Sequence, residues 1–166
     1  MLKAICERAG TAARVRSVAG KPKLFNDFDK VLSLGLPGEI RIVAPDLHPQ
    51  MDCALEAQRW RNAISKRSPG ARLSLVIWET ESWLLADAGA LQRAFSINLR
   101  HHAPEATTGD KPSAVLEDAF KKKGGYTKGA AFDKRADGKR IVEEMDLDIA
   151  RKRAPSLDRF LRLIQA

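Results

Sequence analysis

The chain is poor in cysteine, in long apolar runs and in phosphate-cradling glycines, and each shortage removes a class of protein. Only Cys6 and Cys53 occur in 166 residues. They are too few for a disulfide framework, their separation matches no zinc pattern, and both are expected to be small buried apolar side chains. No apolar stretch approaches the roughly 20 residues that span a bilayer, and the first residues lack a secretory apolar region, so a soluble, cytoplasmic protein is expected. Gly124-Gly125 precedes no Lys-Ser or Lys-Thr at the spacing of a phosphate loop, which leaves nothing to support a small-molecule phosphotransferase. Internal repeats and low-complexity tracts are also missing.

What is present is a sizeable core and an excess of positive charge. Hydrophobic residues make up 44% of the sequence. The length suggests one domain, with an α/β core over residues 1–96 and a basic loop and C-terminal helices over residues 97–166 packed on it. Lys and Arg number 29 against 21 Asp and Glu, a net charge of +8, which favours an anionic partner, nucleic acid first. The excess concentrates between residues 121 and 140. There Lys121, Lys122, Lys123, Tyr126 and Lys128, interleaved with glycines, could follow a phosphate backbone and stack a base. A solvated linker would have the same composition.

The apolar spacing alternates between strand and helix. Residues 1–9 read as a helix ended by Gly10, residues 14–19 as a short strand, and residues 22–34 as a helix opened by Pro22. A strand follows from Ile40 to Ala44, then a helix over residues 51–66 burying Cys53, Ala57, Trp60 and Ile64. Another strand ends at Glu79, and helical spacing runs from Ser82 to Phe95. Short connections between such units are the pattern of a parallel sheet flanked by helices. Helices are expected again over residues 113–122, 132–145, 147–153 and 156–164, the last with Ser156 as N-cap.

Two strand ends carry the chemistry. Carboxylates at the carboxyl ends of parallel strands point into the crevice where open α/β sheets bind ligands. Glu79 and Glu81 stand at one such end and Asp46 at another. His48 and Asp52 follow in the loop after Asp46. Oxygen and imidazole donors at this spacing could hold Mg²⁺ or Mn²⁺. Plainer roles are open to each: Glu81 as a favourable charge in a first helical turn, Asp52 as a helix cap, His48 as a surface loop residue. The adjacent His101-His102 diverge too far to chelate one ion and read as a polar loop.

These residues together resemble a bacterial Toprim-like family catalogued as domain of unknown function 4276. The likeness rests on the strand Val43 to Asp46 followed by Asp52-Cys53, and on Glu81-Ser82-Trp83-Leu84-Leu85-Ala86-Asp87. Downstream it rests on Lys111-Pro112, Tyr126-Thr127-Lys128, Ala150-Arg151 and Ala154-Pro155-Ser156 with Phe160. The resemblance implies a Toprim (Rossmann-like) fold and a divalent-metal-dependent nuclease or DNA-processing role. It places Asp46 as the first residue of the Toprim Asp-x-Asp pair and makes Glu81 a second catalytic position. It also implies an anti-phage setting beside an ATPase of the overcoming-lysogenization-defect type. Two departures accompany it. His48 stands where the second Asp is usual, and the first strand with its Glu has no counterpart here. The alternative is therefore a non-catalytic Toprim-like subunit that binds nucleic acid or a partner ATPase.

Overall fold

The computed structural model describes residues 1–18, 20–48, 51–99, 104–106, 109–123 and 132–166. It is an α/β structure with a small parallel sheet. In chain order come α1 (Leu2–Arg8), α2 (Lys21–Leu32), β1 (Ile42–Val43), β2 (Asp46–Leu47), α3 (Cys53–Arg67), β3 (Arg72–Leu73) and β4 (Val76–Ile77). There follow α4 (Glu81–Leu84), α5 (Ala88–Phe95), α6 (Pro112–Lys122), α7 (Ala136–Glu144), α8 (Leu147–Arg153) and α9 (Pro155–Gln165).

The sheet is a β–α–β unit in which α3 returns the chain to lie parallel to its first strand. β1 pairs with β3 and β2 with β4, and the register is unchanged between them, with Ile42 facing Arg72 and Asp46 facing Val76. The two pairs are thus one ribbon interrupted at Pro45, which has no N–H to give to the ladder. Its carbonyl still accepts from the Val76 N–H at 3.0 Å. Because the strands run together, the residues after Leu47 and after Ile77 emerge at the same edge.

Two apolar clusters hold this ribbon. Phe28, Val43, Trp60 and Ile64 pack α2 and α3 on one side. The larger cluster joins Ile5 and Cys6 of α1, Val76 of β4, the whole Trp83–Ala86 segment, Leu116 and Phe120 of α6, Ile141 and Val142 of α7, and Leu157, Phe160 and Leu161 of α9. Residues beyond 96 therefore share a core with the residues before them. Among the described residues no helix is long and apolar enough to cross a membrane.

Several expectations need correction. Residues 14–18 form no strand and join no sheet among the described residues, and Val15 is exposed; Val15 and Val18 give this stretch too little apolar surface to hold a strand in place. Cys53 is exposed, not buried, because the first turn of α3 overhangs the core and leaves Leu55 exposed as well. The helical run from Ser82 to Phe95 breaks into α4 and α5, since Asp87 turns extended to cap α5 through the Gly89 N–H at 2.9 Å. Ser156 is not the cap of α9 but lies inside its first turn, where its side chain is spent on Trp83 and Glu105.

Asp52 caps α3, its Oδ1 accepting from the N–H groups of Ala54 at 2.9 Å and Leu55 at 3.0 Å. Asp52→Ala should lower stability by about 1 kcal/mol in a urea titration; an unchanged midpoint would mean that water replaces the cap without loss.

Candidate active site

The edge where both strands end carries three carboxylates and two ammonium groups. Asp46 lies in β2, Glu79 stands two residues beyond β4, and Glu81 opens α4. Glu79 is buried and accepts the Ser113 N–H of α6 on Oε1 at 2.6 Å, while its Oε2 meets Lys111 Nζ at 3.1 Å. Glu81 is 2% exposed; its Oε1 pairs with Lys134 just ahead of α7, and its Oε2 accepts from the Thr80 hydroxyl at 3.3 Å. Both lysines keep more than half of their side-chain surface in water.

The electrostatics tie these groups into one unit. Asp46 is exposed to solvent, yet protein atoms crowd its carboxyl. That desolvation first, then the negative charges of Glu81 and Glu79, push it up to about 6, with Lys134 and Lys111 opposing. Burial alone would raise Glu79 too, but the Ser113 and Lys111 hydrogen bonds outweigh it and hold Glu79 below the usual carboxylate range. Partial burial lowers Lys134, and its bond to Glu81, with Glu79 and Asp46 behind it, more than compensates. A carboxyl raised to about 6 beside fixed charges marks this edge as a candidate working site.

The turn that delivers Glu79 is strained. The Glu79 N–H bonds back to the Ile77 carbonyl at 3.0 Å, closing a three-residue turn around Trp78 at φ +64°. This is the rare positive-φ form, which costs a bulky residue on the order of 1–3 kcal/mol. The Trp78 N–H still reaches the Leu47 carbonyl at 2.8 Å and its indole N–H the Ala106 carbonyl at 2.7 Å. Ser82 fastens the start of α4 to the same strand end, its hydroxyl donating to the Ile77 carbonyl at 3.0 Å.

Other motif residues turn out to be structural. Trp83 is fully buried, stacks near Phe160 with centroids 5.2 Å apart, and gives its indole N–H to Ser156 Oγ at 2.7 Å. Ser156 in turn donates its N–H to both Glu105 oxygens at 3.1 Å, and burial raises the Glu105 carboxyl. Asp87 accepts from Arg93 and from the Asp146 N–H, both at 2.9 Å, which joins α5 to the start of α8.

Of the candidate residues, Asp46, Glu79 and Glu81 come together. Asp52 is engaged on α3, and His48 packs its ring against Trp78 at 4.8 Å. Lys121, Lys122 and Lys123 are exposed at the far end of α6, with Lys122 pairing to Asp118 at 2.6 Å. Tyr126, Lys128 and His101-His102 lie outside the described residues. The sequence does not single out Lys111 and Lys134 as site residues. Lys111-Pro112 at a helix start was the available signal for one of them; Lys134 was hidden among many basic residues. The groove of about 350 Å³ between residues 11–16 and Ile40 to Ala44 is lined by none of the three carboxylates.

Three carboxylates are the hard oxygen donors that Mg²⁺ and Mn²⁺ select, so the donor chemistry fits such an ion. The arrangement is different: among the described residues no group of three or more His, Cys, Asp or Glu is set to hold a metal. Glu79 and Glu81 face lysines instead.

Fold and site together define an α/β protein with a cluster of three carboxylates and two lysines at the edge of a parallel strand pair. The family model described as Domain of unknown function (DUF4276) matches residues 38–165, a span that takes in every residue of that cluster, and the chain belongs to this family. No curated protein and no solved structure matches it.

Proposed function

We propose that the chain is a Toprim-like, divalent-metal-dependent nuclease or related DNA-processing protein acting on phosphodiesters at the strand edge. The observation that carries this reading is the convergence of Asp46, Glu79 and Glu81 with Lys111 and Lys134. Mg²⁺ or Mn²⁺ would be held by Asp46 with Glu81 and Glu79, and would activate water and neutralise charge on the phosphodiester. A cation held there would favour the ionised form of Asp46 and offset the repulsion from Glu81 and Glu79 that raises it in the free chain. Lys111 and Lys134, both well exposed, can turn from carboxylate to phosphate. Lys121 to Lys123 extend the basic surface by the length of α6, about 16 Å at 1.5 Å per residue. The cytoplasm and a partner ATPase of the overcoming-lysogenization-defect type complete the proposed setting.

A second reading, a non-catalytic subunit that binds nucleic acid or that ATPase, is favoured by one observation. Both buried glutamates already have ammonium partners, so the cluster is stable as it stands. Thermal denaturation separates the two. The nuclease reading expects MnCl₂ or MgCl₂ to raise the melting temperature of the wild-type chain and not that of Asp46→Ala. No stabilisation of the wild type, with salt-sensitive DNA binding equal in both proteins, would support the binding subunit instead.

A further inference from the structure

We propose that His48 and Trp78 form a stacking platform for an unpaired nucleobase beside the acid–lysine cluster, so that the site takes single-stranded rather than duplex nucleic acid. This rests on the phosphodiester reading of the cluster and specifies its substrate. Both rings adjoin the cluster through the chain itself: His48 lies two residues after Asp46, and Trp78 immediately precedes Glu79. Their centroids are 4.8 Å apart with planes inclined by 58°, which places an aromatic step at the edge where the carboxylates sit.

The placement of Trp78 differs from that of the other tryptophans. Trp60 and Trp83 are fully buried and pack against Phe25, Phe28 and Phe160 in the cores. Trp78 is half-buried and its partner His48 is exposed. It is also held at φ +64°, and its indole N–H is committed to the Ala106 carbonyl. With the only hydrogen-bond donor of the ring used up, what the indole offers a ligand is its face. Every nucleobase has a face to set against it, but in a duplex those faces are covered by neighbouring bases. The phosphates flanking a stacked base need cations, and Lys111 and Lys134 present theirs on the same edge.

The test combines tryptophan emission with anisotropy of a labelled strand. Since Trp60 and Trp83 are buried, quenching by oligo(dT) at low salt reports on Trp78. The platform predicts that oligo(dT) quenches wild-type emission. Trp78→Ala and His48→Ala should each weaken oligo(dT) binding by at least about fivefold, the lower limit for one stacked base. Trp78→Phe should retain most of the affinity, and duplex of the same length should bind all four proteins alike. His48 is a surface residue, so its variant keeps the test valid if Trp78→Ala unfolds. Unchanged oligo(dT) affinity in His48→Ala and in any folded Trp78→Ala protein, or equal losses for duplex, would overturn the platform and leave the phosphodiester reading standing. A wild-type chain that binds neither strand nor duplex would overturn both.

Discussion

Lys134→Met should lower the unfolding free energy by about 2 kcal/mol, the low end of what removing one partner from a desolvated charge pair costs. The cause is Glu81. Its side chain is 2% exposed, and without the lysine the Thr80 hydroxyl is what remains bonded to its oxygens among the described residues, with the Met1 ammonium acting on it through space. Lys134 itself is more than half exposed, so little apolar contact is lost with it and the effect reports the stranded carboxylate. Adding Glu81→Gln to Lys134→Met should therefore recover most of the loss, which urea titrations of the four proteins in a double-mutant cycle would show. Additive losses would mean that Glu81 is hydrated well enough to stand alone, and the cluster would not be a coupled unit.

Asp46→Asn should move stability and activity in opposite directions. The folded-state value of about 6 lies above the ordinary 3.8, so ionising Asp46 costs the folded chain more than the unfolded one. The sign follows: the penalty is absent below about pH 4, grows through the interval up to about pH 6, and is complete above it. Asn carries no such charge. The variant should match the wild type near pH 4 and exceed it at pH 8 by about 1 kcal/mol, a figure already reduced for the exposure of Asp46, or roughly 2–4 °C in melting temperature. Cleavage should fall by at least about 100-fold, since the group lost is the carboxylate that would hold the metal. A stabilising substitution that removes function is what strain stored at a working site produces. Equal melting temperatures at pH 8 would show that Asp46 is not raised by its neighbours.

Much of this architecture was legible in the residue pattern, and the exceptions have physical reasons. The β–α–β unit follows from apolar strands around a helix whose Ala57, Trp60 and Ile64 recur at helical spacing. Pro155 and Pro112 mark the starts of α9 and α6 as proline's fixed φ leads one to expect. The convergence of Asp46 with Glu79 and Glu81 could be anticipated because parallel strands end at one edge. What the pattern could not convey was pairing at long range. Nothing local in Lys134 says that it reaches Glu81, nor in Ser113 that its N–H ends on Glu79. The Glu-Ser-Trp-Leu-Leu-Ala-Asp motif suggested chemistry throughout, yet its Trp83 and Asp87 are tied to Ser156 and to Arg93 and Asp146, and only Glu81 faces the cluster. Cys53 misled because its spacing fits the buried stripe while its turn lies beyond the core. The left-handed Trp78 was unreadable, since no Gly or Asn marks the position.

Incubating the purified chain and Asp46→Asn with labelled single-stranded DNA in Mn²⁺ and in Mg²⁺ shows whether the carboxylate edge is catalytic. The wild type should cleave the strand only with the metal, and Asp46→Asn should lose that cleavage although it is at least as stable. A folded wild-type chain that binds the strand but leaves it intact in both metals would contradict the claim of catalysis.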